Sequence, residues 1–294
     1  MDIIRQGPFL VKIHPFPTTF GQVLVELEGS SVSGLDINSF VDLFKLARRI
    51  SSALASVTGA RRCALASDGT CVTIIPLHGL AEEWKPVLCE EAEYRTTYPG
   101  FLTTKSAPML PSADLDAIRD RIAAVSGITS PYNLHFKGPP SDNLFARIVR
   151  GELDQWRVYE DEDHIAFLTP FANTLGFTVL VPRAHLPSDI FSLDESDYVM
   201  LLEAAYRVVH IMKRAFDIKE VGVFFEGYEI NYAHVKLVPI HATDDSTQRP
   251  VSPAPYYDIY PGYITTQPGP SPPDISSLEV LAEKVCQAMA SVLQ

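Results

Sequence analysis

The sequence predicts an α/β (α+β) fold in which two copies of one unit, each an antiparallel sheet with a long helix, pair within the chain as an intramolecular pseudo-dimer. Three observations lead there. Short segments recur in the same order at a slowly drifting offset, two long helical patterns follow the same spacing, and a strongly alternating segment near the end of the second copy carries a lone histidine.

The repeat comes first. Tyr98-Pro99-Gly100-Phe101-Leu102-Thr103-Thr104 recurs as Tyr260-Pro261-Gly262-Tyr263-Ile264-Thr265-Thr266, an offset of 260 − 98 = 162. Ile74-Ile75-Pro76-Leu77-His78 recurs as Leu237-Val238-Pro239-Ile240-His241, with 241 − 78 = 163. Leu35-Asp36 matches Leu193-Asp194, with 193 − 35 = 158, and Gly21 with Val23-Leu24-Val25 resembles Gly176 with Val179-Leu180-Val181, near 155. Offsets that drift in one direction are what a duplication with small loop insertions leaves behind.

The helices follow the same scheme. Phe40, Leu43, Ala47, Ile50 and Leu54 fall at helical spacing, as do Tyr198, Leu201, Ala205, Val208 and Met212, each 158 later. Each copy closes on a further amphipathic helix, marked by Leu115, Ile118, Ile122 and Val125 and by Leu278, Leu281, Val285 and Met289. Ser112 and Ser276 are the expected N-caps, with acidic residues in the turn after each. The first copy takes residues 1–126. The turn formers Gly127, Ser130-Pro131, Gly138-Pro139-Pro140 and Ser141 make 127–142 a linker, and the second copy takes 143–294. Pro250 to Pro273 holds eight of the 23 prolines, too many for a helix or central strand, so an ordered extended arm is expected there. The arms bearing the Tyr-Pro-Gly element are expected to cross to the opposite half.

Composition narrows the function. Hydrophobic residues make up 46% and charged residues 20%, as in ordinary soluble domains. A formal charge of −12 without Lys/Arg clusters argues against non-specific nucleic-acid binding, while small anions remain possible in a locally positive pocket. Cys63, Cys71, Cys89 and Cys286 form no CxxC pair, which fits reduced thiols and a cytoplasmic protein. The first residues lack a signal-peptide core, and no run reaches the length of a membrane span. No cofactor is implied, and a monomer or homodimer is expected.

The chemistry centres on Asn231-Tyr232-Ala233-His234-Val235-Lys236-Leu237-Val238-Pro239. A period of two puts Tyr232, His234 and Lys236 on one face and Ala233, Val235 and Leu237 in the core. A neutral imidazole attacks phosphorus well, leaves well once protonated, and can carry a nucleotidyl group in between. The run resembles the signature of the histidine triad (HIT) family, whose second histidine is the nucleophile. Here only that central position is histidine. Asn143 to Glu152 is similar to the family's opening helix, Val158 to Asp163 with Ile165 to Leu168 to its first hairpin, and Gly176 with Val179 to Arg183 and His185 to its next strand. The resemblance covers about residues 140 to 245.

The resemblance implies a nucleotide-processing enzyme. His234 would be the nucleophile, Lys236 would neutralise phosphate oxygens, and Tyr232 would donate to phosphate or leaving group. Gly227 and Asn231 would form or orient the phosphate-side loop. Phe145 and Phe167 would line a base pocket, and Asn173 and His185 are secondary substrate-binding candidates. Thr169 stands where the family carries a ribose-binding carboxylate. Asn143 and Ala146 replace the cysteines of the zinc-binding branch, so no metal is expected. In the first copy the offset of 163 sets Cys71 opposite His234, Gly69 opposite Tyr232 and Thr73 opposite Lys236, which implies a scaffold without a nucleophile. The expected activity is nucleotidyl transfer, slightly preferred over hydrolysis. A degenerate ligand-binding protein, or an enzyme of this fold acting on a non-nucleotide substrate, are the alternatives.

Overall fold

A computed structural model describes residues 1–242, 251–270 and 275–291, with side chains of the last stretch from 278 onward. Ten strands form one antiparallel sheet. The first copy supplies β1 (Asp2–Gln6), β2 (Phe9–Ile13), β3 (Val23–Leu27), β4 (Arg62–Ser67) and β5 (Cys71–Leu77). The second supplies β6 (Trp156–Glu160), β7 (His164–Leu168), β8 (Thr178–Pro182), β9 (Val221–Phe225) and β10 (Val235–Pro239). Their order is β1-β2-β3-β5-β4-β9-β10-β8-β7-β6, which reads the same from either edge once the copies are exchanged.

The register shows where the symmetry axis falls. β4 pairs with β9 through Leu65 to Phe225, Ala66 to Phe224 and Ser67 to Val223. Ala66 and Phe224 are equivalent positions, since 224 − 66 = 158, so the pseudo-two-fold axis passes through that pair. The expected tandem repeat is therefore a continuous sheet with no edge at the centre, which removes two unpaired strand edges.

Helices α1 (Ile37–Thr58) and α4 (Glu195–Phe216) lie on one face and bury Phe40, Leu43, Phe44, Ile50 and Leu54, and Tyr198, Leu201, Val208 and Met212. Asp36 caps α1 by accepting from the Asn38 and Ser39 amides at 3.0 Å each. Helix α2 (Ser112–Ser126) departs from expectation at its start. Ser112 is its first residue rather than its cap, because the Pro111 carbonyl accepts from both Asp114 and Leu115. The matching expectation for Ser276, near the start of α5 (Ile275–Ser291), concerns a side chain outside the described residues.

The terminal helices are exchanged between copies. Helix α2 packs on α4 and β6 of the second copy, whereas α5 packs on α1 and β1 of the first. The arms cross in the same sense. The Ala107 amide donates to the Phe171 carbonyl and Gly269 to Phe16, a symmetry-related pair. Where the arms meet, Thr104 donates to the Ile264 carbonyl and Thr266 to that of Leu102, each at 3.0 Å. Two buried arginines, Arg157 and Arg183, both donate to the Asn133 carbonyl at 2.7 Å and to Glu160, which ties the 127–142 segment to the second copy. No helix of the described residues is long and apolar enough to cross a membrane.

Candidate functional site

On the arm-covered face of the second copy, a cavity of about 260 Å³ opens beside the start of β10. Its walls are mostly apolar. Helix α3 (Leu144–Val149), capped by Asn143, contributes Leu144, Phe145 and Ile148, while the strands contribute Trp156, Phe167 and Val179. Leu144 and Phe171 at the mouth are 45% and 48% exposed, so an apolar body meets apolar surface before it enters. α3 has no counterpart among the described residues of the first copy.

His234 forms part of the cavity floor. Its ring is 3% exposed and meets Phe145 edge-on at 5.3 Å. Nδ1 lies 2.7 Å from the Tyr232 carbonyl. A carbonyl only accepts, so Nδ1 carries the proton and Nε2 keeps its lone pair. Burial, with help from the neighbouring Lys236 charge, pushes the imidazole down to about 4. The ring is therefore neutral at pH 7, with its free nitrogen available for nucleophilic or basic chemistry.

Lys236 is buried two residues on, and its ammonium contacts Glu226 at 2.8 Å and Glu229 at 3.2 Å. Burial works against the charge, but the two carboxylates outweigh it and hold the lysine above its ordinary pKa. Lys236 in turn holds Glu229 below the usual carboxylate range. Glu226 also accepts from Thr104 Oγ1 at 3.0 Å and from the Tyr260 hydroxyl at 2.5 Å, so it joins both arms to the strand behind His234. Its position beneath Lys236, facing protein donors, explains how a buried carboxylate is accommodated.

The cavity brings together His234, Lys236, Thr169, Phe145 and Phe167 from the sequence-derived set. The other five lie around it. Tyr232 is fully buried, with its hydroxyl donating to the Pro182 carbonyl at 2.7 Å and its ring stacked on His185. His185 bridges Ser141 and the Asn231 carbonyl, each at 2.8 Å, and so fixes the loop before His234. Asn231 itself is exposed. Asn173 is buried and donates to the Thr103 carbonyl at 2.9 Å, anchoring the first arm. Gly227, at φ 76°, lies against Ser188: a Cβ there would overlap the Ser188 carbonyl oxygen. Gly227→Ala is expected to destabilise the fold by about 2 kcal/mol or more, since backbone on both sides resists moving. A chemical-denaturation midpoint equal to wild type would contradict this.

Three of the lining residues that sequence reasoning missed come from the first copy. Thr104, Lys105 and Ser106 line the cavity across the copy boundary. Lys105 is held by Glu91 at 2.5 Å and sits 4.3 Å over the Tyr263 ring. The available signal was the repeated Thr-Thr element together with the expected crossing of the arms. Asp154 and Glu229 supply negative charge to the lining, so with Lys105 and Lys236 the formal charge sums to 2 − 2 = 0. At the position equivalent to His234, burial and the Asp68 charge push the Cys71 thiol up to about 12, which makes it a poor nucleophile at neutral pH. Among the described residues, no group of three or more His, Cys, Asp or Glu could hold a metal ion.

Sequence comparison places this geometry in context. The chain is 25% identical over 105 residues to an uncharacterised HIT-like protein of Methanocaldococcus jannaschii, covering 34% of this chain and 81% of that one. It is 26% identical over 110 residues to an uncharacterised HIT-like protein of Borreliella burgdorferi, covering 35% and 78%. Among solved structures, a Streptococcus mutans protein is similar at 25% identity and a TM-score of 0.39, over 51% of this chain and 87% of that one. A uridylyltransferase mutant is similar at 12% identity and a TM-score of 0.45, over 92% of this chain and 78% of that one. No family model matches the sequence.

Proposed function

We propose, on the premise that the chain is built of two tandem HIT-like halves, that its second half catalyses nucleotidyl transfer or hydrolysis through a covalent intermediate on His234. One observation carries the reading: a neutral imidazole whose Nδ1–H is committed to the Tyr232 carbonyl at 2.7 Å, on a ring that lines a mostly apolar cavity. The Nε2 lone pair attacks the α-phosphorus, an N–P bond forms, and the P–O bond to the leaving group breaks, with that oxygen departing with the bonding pair. An acceptor oxygen, from water or a phosphorylated molecule, then attacks phosphorus. The N–P bond breaks and its electron pair returns to Nε2, while the acceptor's proton, if it carries one, passes to solvent.

Between the two steps the ring is cationic, and the Tyr232 carbonyl and the nearby Glu229 charge favour that state. Lys105 and Lys236 are the cations of the lining, each already paired with carboxylate, and a phosphate would share them. Lys105→Met is expected to lower kcat/KM roughly tenfold while adduct formation on His234 persists. An unchanged kcat/KM would remove Lys105 from this role.

A second reading rests on the compensated charge of the site. Lys236 already has two carboxylates, and the lining has no net charge, which favours a neutral-bodied ligand over a polyphosphate. Turnover separates the two readings. Nucleoside di- and triphosphates, sugar nucleotides and dinucleoside polyphosphates are offered and products resolved by chromatography. At least one is expected to turn over, with a loss on the order of 10³-fold or more in His234→Ala. No turnover of any member by wild type would favour the second reading.

A further inference from the structure

On the helix-covered face, a groove of about 590 Å³ runs between the outer side of α1 and the turn leading into α4. We propose that this groove binds a small polyanion carrying several phosphates, separately from the His234 cavity. Lys45, Arg48 and Arg49 line it from one stripe of α1, and Arg61 and Arg62 converge on it from the start of β4. Asp189 and Glu195 are the acidic residues of the lining, so the formal charge is 5 − 2 = +3 on a chain of net −12.

Part of that charge is used internally. Glu195 takes Lys45 at 2.7 Å and Arg48 at 3.2 Å, and Asp189 lies 3.9 Å from Arg62. Among the described residues Arg61 reaches only Glu82, at 4.0 Å and almost fully exposed. Arg49 has no carboxylate partner among the described residues, and its Nε is enclosed without a hydrogen-bond acceptor. Crowding five cations raises the energy of the empty groove, and an anion with many acceptor oxygens relieves it. Guanidinium forks match phosphate oxygens. Lys45 to Ser52 spans about 10 Å along the helix, more than one phosphate covers.

The duplication supplies an internal control. The positions 158 residues after the five cations are Glu203, Tyr206, Arg207, Lys219 and Glu220, two cations and two anions. The fold therefore does not require the charge. Arg62 and Glu220 even do the same structural work with opposite sign, Arg62 donating to Ser188 and Glu220 accepting from Ser33. A nucleic-acid strand would run beyond the groove onto an acidic protein, so a compact anion fits better.

The test is calorimetric titration of the whole protein with inorganic tripolyphosphate. One equivalent is expected to bind, with affinity falling roughly tenfold or more in Arg49→Gln/Arg61→Gln and largely retained in Arg49→Lys/Arg61→Lys. Arg207→Gln on the equivalent stripe, and His234→Ala or Lys105→Met at the other cavity, should leave it unchanged. Arg61→Gln alone, at an exposed position, guards against a folding defect in the double variant and should weaken binding in the same direction. Absence of binding, binding indifferent to the Arg49/Arg61 pair, loss in Lys105→Met, or preference for a single-stranded oligonucleotide would each overturn the proposal. Because the readout is binding here and turnover at His234, either proposal can fail without the other.

Discussion

Glu226→Ala is expected to lower folding stability by about 3–5 kcal/mol, the largest effect of any single substitution around the site. The carboxylate has a side chain only 2% exposed and accepts from Lys236, Thr104 and Tyr260. Truncation leaves a buried ammonium leaning on Glu229 alone and two hydroxyls without their acceptor. It also loosens both crossing arms where they meet the strand behind His234. Glu226→Gln retains the shape and one accepting oxygen, so a smaller loss is expected, with Lys236 still the unsatisfied partner. Denaturant unfolding of the three proteins checks this. A loss below about 1 kcal/mol for alanine would mean that the network adds little beyond its own desolvation cost.

The second large effect is a pH dependence from His234. Its imidazole is held down to about 4 in the folded protein, against an ordinary value of 6.5. Between these values the unfolded chain binds a proton that the folded protein does not, so stability rises with pH across that window. The contribution is fully present above about 6.5 and is lost as the pH falls through 4, at about 1.4 kcal/mol per pH unit, or on the order of 3 kcal/mol in all. His14 is also held down to about 4 by burial and contributes in the same sense. The comparison must therefore be wild type against His234→Asn, in which only the His234 share disappears. The stability difference between the two is expected to favour wild type more at pH 7 than at pH 4. A difference independent of pH would show that the ring titrates near its ordinary value.

Much of the architecture was legible because it rests on periodicity. Phe40 to Leu54 and Tyr198 to Met212 mark the buried stripes of α1 and α4, whose first residues stand 195 − 37 = 158 apart. The same offset sets the axis at Ala66 and Phe224. Alternation around His234 also gave the right faces, with Ala233, Val235 and Leu237 in the main core. It could not tell what covers the other face. Helix α3 and the crossing arm bury Tyr232 and enclose His234 and Lys236, so Tyr232 spends its hydroxyl on Pro182 and Lys236 spends its charge on Glu226 and Glu229. Thr104, Lys105 and Ser106 were not legible as site residues, because they belong to an extended segment without periodicity that reaches the second copy only through the exchange of arms.

The central claim is that His234 carries the transferred group, and intact mass after rapid quenching without acid tests it most directly. Wild type exposed to the nucleotide panel is expected to gain one nucleotidyl mass that is absent from His234→Ala and lost on mild acid treatment. Turnover of a nucleotide without any adduct on wild type, or an adduct that survives His234→Ala, would contradict it.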